Sequence, residues 1–138
     1  MAIHSNLTVN DFRDAEFIVF PIHKTNHWLA AAIEPSTRTI YVCDSKRSYN
    51  ESLIQVFKTL EIQFTENILG ITSDNIQWIY KDLSSEAPYQ ADHFSCGPLS
   101  ILNMEYLVRK KPLNYNIQSV IKKLRFNICM SVILQDYS

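Results

Sequence analysis

Glycine is nearly absent from this 138-residue chain, which has only Gly70 and Gly97. A phosphate-cradling loop needs several glycines so that backbone N–H groups can approach the ligand, and it is excluded as an organising feature. Cysteine is sparse as well: Cys43, Cys96 and Cys129 are odd in number and widely spaced. That spacing fits neither a disulfide framework nor a Cys-x-x-Cys metal site, so no metal or cofactor is expected, and the expected setting is reducing and intracellular, nuclear or cytoplasmic. Neither sign of charge is in excess, with 13 Lys and Arg against 14 Asp and Glu. The balance gives no support for a strongly basic nucleic-acid binder. No run approaches the roughly 20 apolar residues of a membrane span, and the opening residues lack a basic region followed by an apolar stretch. No nucleic-acid or membrane partner is expected.

The chain does have apolar and aromatic side chains: 46% of residues are hydrophobic, with seven Phe, seven Tyr and two Trp. That is enough to offset the ordering entropy of a packed domain. The length suits one core and is short for two, so a single domain over residues 1–138 is expected. Two glycosylation triplets, Asn6 to Thr8 and Asn50 to Ser52, carry little weight without a secretion signal.

The hydrophobic pattern predicts one turn near Asn10 to Asp14 and then a strand from Glu16 to Ile22, EFIVFPI, followed by the polar loop HKTN. A second strand, HWLAAAI, starts at His27. A turn on Pro35 and Ser36 leads to a third, TIYVCD, ending at Asp44. Antiparallel pairing of these two strands brings the start of one beside the end of the other, so His27 and Asp44 become neighbours. Residues 51–61 place Leu53, Ile54, Phe57 and Leu60 on one helical face, residues 75–81 read as a strand, and DLSSEAP is a loop. The run CGPLSILNMEYLVRK, apolar over most of its circumference and stopped by Pro112, predicts a buried helix starting near Cys96 with Pro98 in its first turn. A last helix runs from about Ile117 to Leu134, with Lys122, Lys123 and Arg125 exposed.

The sequence QADHFSCG, residues 90–97, sets a glutamine six residues before a cysteine at that helix start. Unpaired N–H groups and the helix dipole favour a thiolate there. Thiol-dependent hydrolysis needs a nucleophile, a base, an orienting group for the base and donors for the oxyanion. Cys96, His27, Asp44 and Gln90 supply these in turn, with the Cys96 backbone N–H as a second donor, and Gly97 leaves room for close approach. Taken singly, each has a structural reading, and the constellation shifts the balance. His23 reads as a loop-bracing residue and His93 lacks an orienting carboxylate. Cys43 and Cys129 read as small core residues. Trp78 is read as core, and Trp28, beside His27, as core and shield of the ion pair together.

The blocks PIHKTNHW, YVCDS and QADHFSCG, in that order, resemble the ubiquitin-like-protein-specific cysteine proteases, the sentrin/SUMO-deconjugating family, and more distantly the adenovirus-type proteases. The blocks fall on Pro21 to His23, His27 and Trp28, Asp44 and Ser45, and Gln90, Cys96 and Gly97, and with Trp78 and Arg125 the resemblance spans about residues 7 to 134. It implies an α+β, papain-like fold with a central sheet flanked by helices and the nucleophile at the N-terminus of a buried helix. The implied activity is hydrolysis of a peptide or isopeptide bond after the C-terminal Gly-Gly of a ubiquitin-like protein, SUMO-type or ubiquitin. Trp28 and Gly97 are the implied substrate contacts. The same core also resembles bacterial effector acetyltransferases, and a non-catalytic module binding ubiquitin-like proteins is a third reading. This chain departs from the family at Ser95, where Asp is usual, and at Pro98, where a bulky apolar residue is usual. The N-terminal part that carries a Trp-Leu-Asn-Asp type motif has no counterpart, so the expected domain is one reduced at its N-terminus.

Overall fold

The computed structural model describes residues 7–47, 51–72 and 76–136. The sequons at Asn6 and Asn50 and the predicted strand start at Asn75 lie outside them. A four-stranded sheet carries the order β1 (Ile18–Lys24), β2 (His27–Glu34), β3 (Thr39–Cys43), β4 (Ile79–Asp82). The first three strands form an antiparallel meander and β4 joins β3 in parallel. Helix α1 (Val9–Asp14) precedes the sheet, closed at its start by a reciprocal capping box between Thr8 and Asp11. Helix α2 (Glu51–Ile62) continues into a π-helical segment, Gln63–Leu69, ended by Gly70 in the left-handed conformation at φ 68°. Helix α3 (Cys96–Val108) and helix α4 (Ile117–Asp136) complete the chain.

The strand β1 extends two residues further than its sequence pattern, so His23 and Lys24 are strand residues and not part of a loop. The reason is the turn. Thr25 and Asn26 both take positive φ, 47° and 58°, the signature of a two-residue type I′ hairpin whose twist matches the strands on either side. His23 pairs with Trp28 across that hairpin, their ring centroids 4.6 Å apart. The predicted strand at residues 75–81 shortens to Ile79–Asp82, with Trp78 before it, edge-on to Phe64 at 5.7 Å and donating Nε1–H to Thr65 Oγ1 at 3.1 Å.

Alternation along β2 divides the core in two. Leu29, Ala31 and Ile33 face one layer with Ile40, Val42, Leu53 and Phe57, on the side of α2. Ala30 faces the other with Cys43, Leu99 and Leu102, on the side of α3. On that side the small, fully buried Ala30 lets α3 lie close across β2. Ile54 departs from its predicted place on the core face of α2 and is 42% exposed, because Leu53 and Phe57 already fill that side. This is the α+β arrangement expected, a sheet flanked by helices with Cys96 opening a helix whose inner residues Leu99, Leu102 and Asn103 are buried.

Candidate active site

The hairpin brings its two chemical residues into contact. His27 is the first residue of β2 and Asp44 the residue after β3, and His27 Nε2 lies 2.6 Å from Asp44 Oδ1. An aspartate oxygen accepts, so Nε2 carries the proton and Nδ1 is the nitrogen left with a lone pair. The same oxygen accepts the Lys46 backbone N–H at 2.8 Å, and the Asp44 N–H donates to Ser84 Oγ at 2.9 Å. Arg47 anchors the loop that supplies Ser84, donating to the carbonyls of Ser84 at 3.2 Å and Ala87 at 2.9 Å. Asp44 is thereby held from both sides in a buried position.

Cys96 opens α3, the helix that packs on β2. Ser95 precedes it but makes no side-chain cap of its own to the helix. Two sets of contacts join this end to the hairpin. The Gln90 N–H donates to the Ser45 carbonyl at 2.7 Å, and Ser45 Oγ donates to Gln90 Oε1 at 2.7 Å. A Cβ placed on Gly97 would stand 3.9 Å from Trp28 Cδ1. Each residue of the His27–Asp44 pair therefore has a neighbour touching the Gln90–Gly97 segment. Trp28, Gly97, Pro98 and Ile101 also line a largely apolar cavity of about 310 Å³, with Ser100 in its wall, that extends to Pro21 and Ile128. Trp28 is 38% exposed, so it is a wall of that cavity and not a core residue.

Gln90 is buried, as a rigid donor requires, but both ends of its amide have partners. Nε2 donates to the Asp92 carbonyl at 3.0 Å and to Asp92 Oδ1 at 3.1 Å. Asp92 also takes the N–H groups of Phe94 at 3.0 Å and Ser95 at 2.7 Å, and the Ser95 hydroxyl at 2.5 Å. Burial raises its pKa, yet these hydrogen bonds outweigh that effect and hold the carboxyl down at about 2. Arg125 of α4 donates to Phe94 O and to Ser95 Oγ, each at 3.1 Å. The expectations for the other candidates are met in part. His93 lies beside a cation instead, with Lys46 Nζ 2.8 Å from its Nδ1. Cys43 is buried, and desolvation, reinforced by nearby carboxylates, pushes its thiol up to about 12. Cys129 is exposed and is not a core residue, because it lies on the outer side of α4.

Sequence reading missed Ser45 as the partner of Gln90, Ser84 behind Asp44, and Asp92 altogether. The Asp-x-x-Ser spacing at Asp92 and Ser95 is a local turn signature, and it was the one available signal for Asp92. No cluster of three or more His, Cys, Asp or Glu able to hold a metal occurs among the described residues. No described helix is long and apolar enough to cross a membrane.

Solved structures share this architecture. The SUMO protease Ulp1 with its catalytic cysteine oxidised to a sulfenic acid superposes with a TM-score of 0.65 at 23% identity, over 80% of this chain and 50% of that one. The C-terminal Ulp1 protease domain in complex with Smt3, the yeast ortholog of SUMO, gives 0.65 at 22% identity, over 80% and 49%. The Chaetomium thermophilum Ulp1-like SUMO protease catalytic domain gives 0.59 at 26% identity, over 78% and 41%. The chain thus spans about half the length of the solved structures it matches. No curated protein matches the sequence. The family model for the Ulp1 protease family, C-terminal catalytic domain, matches residues 2–133, and with the His–Asp hairpin and the cysteine-headed helix both in its span, this chain belongs to that family.

Proposed function

We propose that the chain is a cysteine peptidase acting after the C-terminal Gly-Gly of a ubiquitin-like protein, with Cys96, His27, Asp44 and Gln90 as its catalytic groups and a single catalytic unit over residues 1–138. The observation that carries this reading is the 2.6 Å contact from His27 Nε2 to Asp44 Oδ1, which fixes the imidazole with Nδ1 as the proton acceptor. In the first step the Cys96 thiol proton passes to His27 Nδ1 and the sulfur attacks the scissile carbonyl carbon. The Asp44 carboxylate stabilises the imidazolium so formed. The carbonyl oxygen becomes an oxyanion, met by the Cys96 backbone N–H at the helix start and by the Gln90 amide. Collapse expels the leaving amine, which takes the proton from His27, and leaves a thioester. Water then gives a proton to His27 and its oxygen to the acyl carbon, releasing the acid and the thiol.

The apolar cavity beside Gly97, walled by Trp28, supports Trp28 and Gly97 as substrate contacts. The solved relatives described as SUMO proteases, one of them bound to Smt3, support a SUMO-type partner. A SUMO or ubiquitin probe ending in Gly-Gly vinyl sulfone should label Cys96 covalently, and Cys96→Ala should remain folded and unlabelled. Absence of labelling by probes of SUMO, ubiquitin and related proteins would overturn the reading.

A further inference from the structure

The hydrogen bonds before Cys96 converge on Asp92, a side chain to which the catalytic scheme gives no role. Asp92 Oδ1 accepts from Ser95 N at 2.7 Å, Phe94 N at 3.0 Å and Gln90 Nε2 at 3.1 Å, while Oδ2 accepts from Ser95 Oγ at 2.5 Å. Its carbonyl takes Gln90 Nε2 as well, at 3.0 Å. The far end of the Gln90 amide is tied to Ser45, next to Asp44. A continuous path therefore runs Ser45, Gln90, Asp92, Ser95, from the residue after the orienting carboxylate to the residue before the nucleophile. Arg125 closes it from α4 through Ser95 Oγ and Phe94 O.

We infer that Asp92 is a positioning residue, which holds the Gln90 carboxamide and the Ser95 backbone in one fixed relation so that the two oxyanion donors, Gln90 and the Cys96 N–H, converge. The inference rests on the hydrolase reading above and adds to it the group that sets the donor geometry. Gln90 Nε2 lies within hydrogen-bond distance of both the Asp92 carbonyl and Asp92 Oδ1, which fixes the plane of the carboxamide beside Cys96. A bare carboxylate so close to a developing negative charge would oppose the reaction. Arg125 offsets it through the shared Ser95 hydroxyl, and the role left to Asp92 is geometric. A helix-capping role alone does not account for the contacts, because capping needs the backbone N–H groups and not the Gln90 side chain.

Steady-state kinetics of the full chain on a SUMO or ubiquitin substrate carrying a fluorogenic amide after its Gly-Gly tests this. Asp92→Ala should lower kcat about 100-fold with KM changed less than about threefold, since misplaced donors act in the transition state. Asp92→Asn keeps an acceptor oxygen and should recover kcat to within about tenfold of the parent. The double variant Asp92→Ala with Gln90→Ala should be no slower than Gln90→Ala alone, because Asp92 acts through Gln90. An unchanged kcat in Asp92→Ala, a loss confined to KM, or losses that multiply in the double variant would each overturn the inference while leaving the hydrolase reading intact. If Asp92→Ala does not fold, Ser95→Ala removes the hydroxyl link and should lower kcat about tenfold; an unchanged kcat there refutes the inference equally. A parent chain that neither turns over substrate nor labels with the probes overturns both readings.

Discussion

Ser45 and Gln90, 45 residues apart in sequence, are joined twice: the Gln90 backbone N–H meets the Ser45 carbonyl and the Ser45 hydroxyl meets Gln90 Oε1, each at 2.7 Å. The double contact makes the loop after β3 and the loop before α3 one rigid body. Substitution at Ser45 should therefore be felt at Gln90. Ser45→Ala leaves a buried carbonyl oxygen unpaired, which costs about 1–3 kcal/mol. Chemical denaturation should show that loss, and kcat should fall with it.

Asp44→Asn changes the partner of His27 without changing its size. An amide in that place offers either an oxygen or an N–H, and the wrong choice reverses the imidazole tautomer. Turnover should fall by about 10²-fold or more, with the melting temperature little changed. Matching pH–rate profiles for the parent and Asp44→Asn, at equal rates, would rule out an orienting role for Asp44.

Gly97 has space for a side chain, since an added Cβ meets only Trp28 Cδ1 at an ordinary 3.9 Å. The fold does not demand glycine here. Gly97→Ala should fold with a melting temperature close to the parent's and bind a Gly-Gly-ended partner more weakly, because the new methyl group enters the apolar cavity. Calorimetric titration of the variant against the parent checks this, and equal affinities would remove Gly97 from the substrate contacts.

Ala30 of β2 faces α3 with no exposed surface. Ala30→Leu overpacks that interface at a cost of about 1–3 kcal/mol. Relief comes from displacing α3, which carries Cys96, so activity should drop more than stability. Parallel denaturation and turnover assays would reveal the disproportion.

The carboxyl of Asp92, held at about 2, lies below its unfolded value. A depressed acid stabilises the fold above the unfolded pKa, and the contribution disappears as pH falls through the folded one. Between about pH 4 and pH 2 the parent should lose stability that Asp92→Asn never had. Urea titrations at stepped pH would show the two curves converging at the acid end, and a constant gap would contradict the assignment.

The hairpin half of the site was legible because its contacts are local: His27 and Asp44 follow from strand periodicity and one turn. The loop half was not. Gln90 was found as a candidate donor, yet its partners, Ser45 and Asp92, depend on how the chain returns after a parallel strand, which periodicity does not encode. The substitution of Ser95 for the usual Asp reads differently in three dimensions, where Asp92 brings a carboxylate to the Ser95 hydroxyl and Arg125 bonds the same oxygen. The π-helical segment at residues 63–69 and the extension of β1 through His23 were also missed. The first continues a helical pattern by a looser winding, and the second depends on two consecutive positive φ angles at Thr25 and Asn26, residues that do not advertise a type I′ turn as Asn-Gly does.

Burial and position sort the three thiols into chemically different reporters: Cys43 and Cys96 are buried, the second at a helix start, and Cys129 is exposed. Cys43, sealed in the core with its acidity suppressed, is silent toward alkylating reagents while the fold persists, whereas Cys129 lies open on α4. A small alkylating reagent that reaches Cys96 at the start of α3 therefore also reads the exposed Cys129. In a Cys129→Ser background the native protein becomes a one-thiol instrument for Cys96, and the later appearance of a second modifiable thiol, Cys43, times the opening of the sheet–helix core itself.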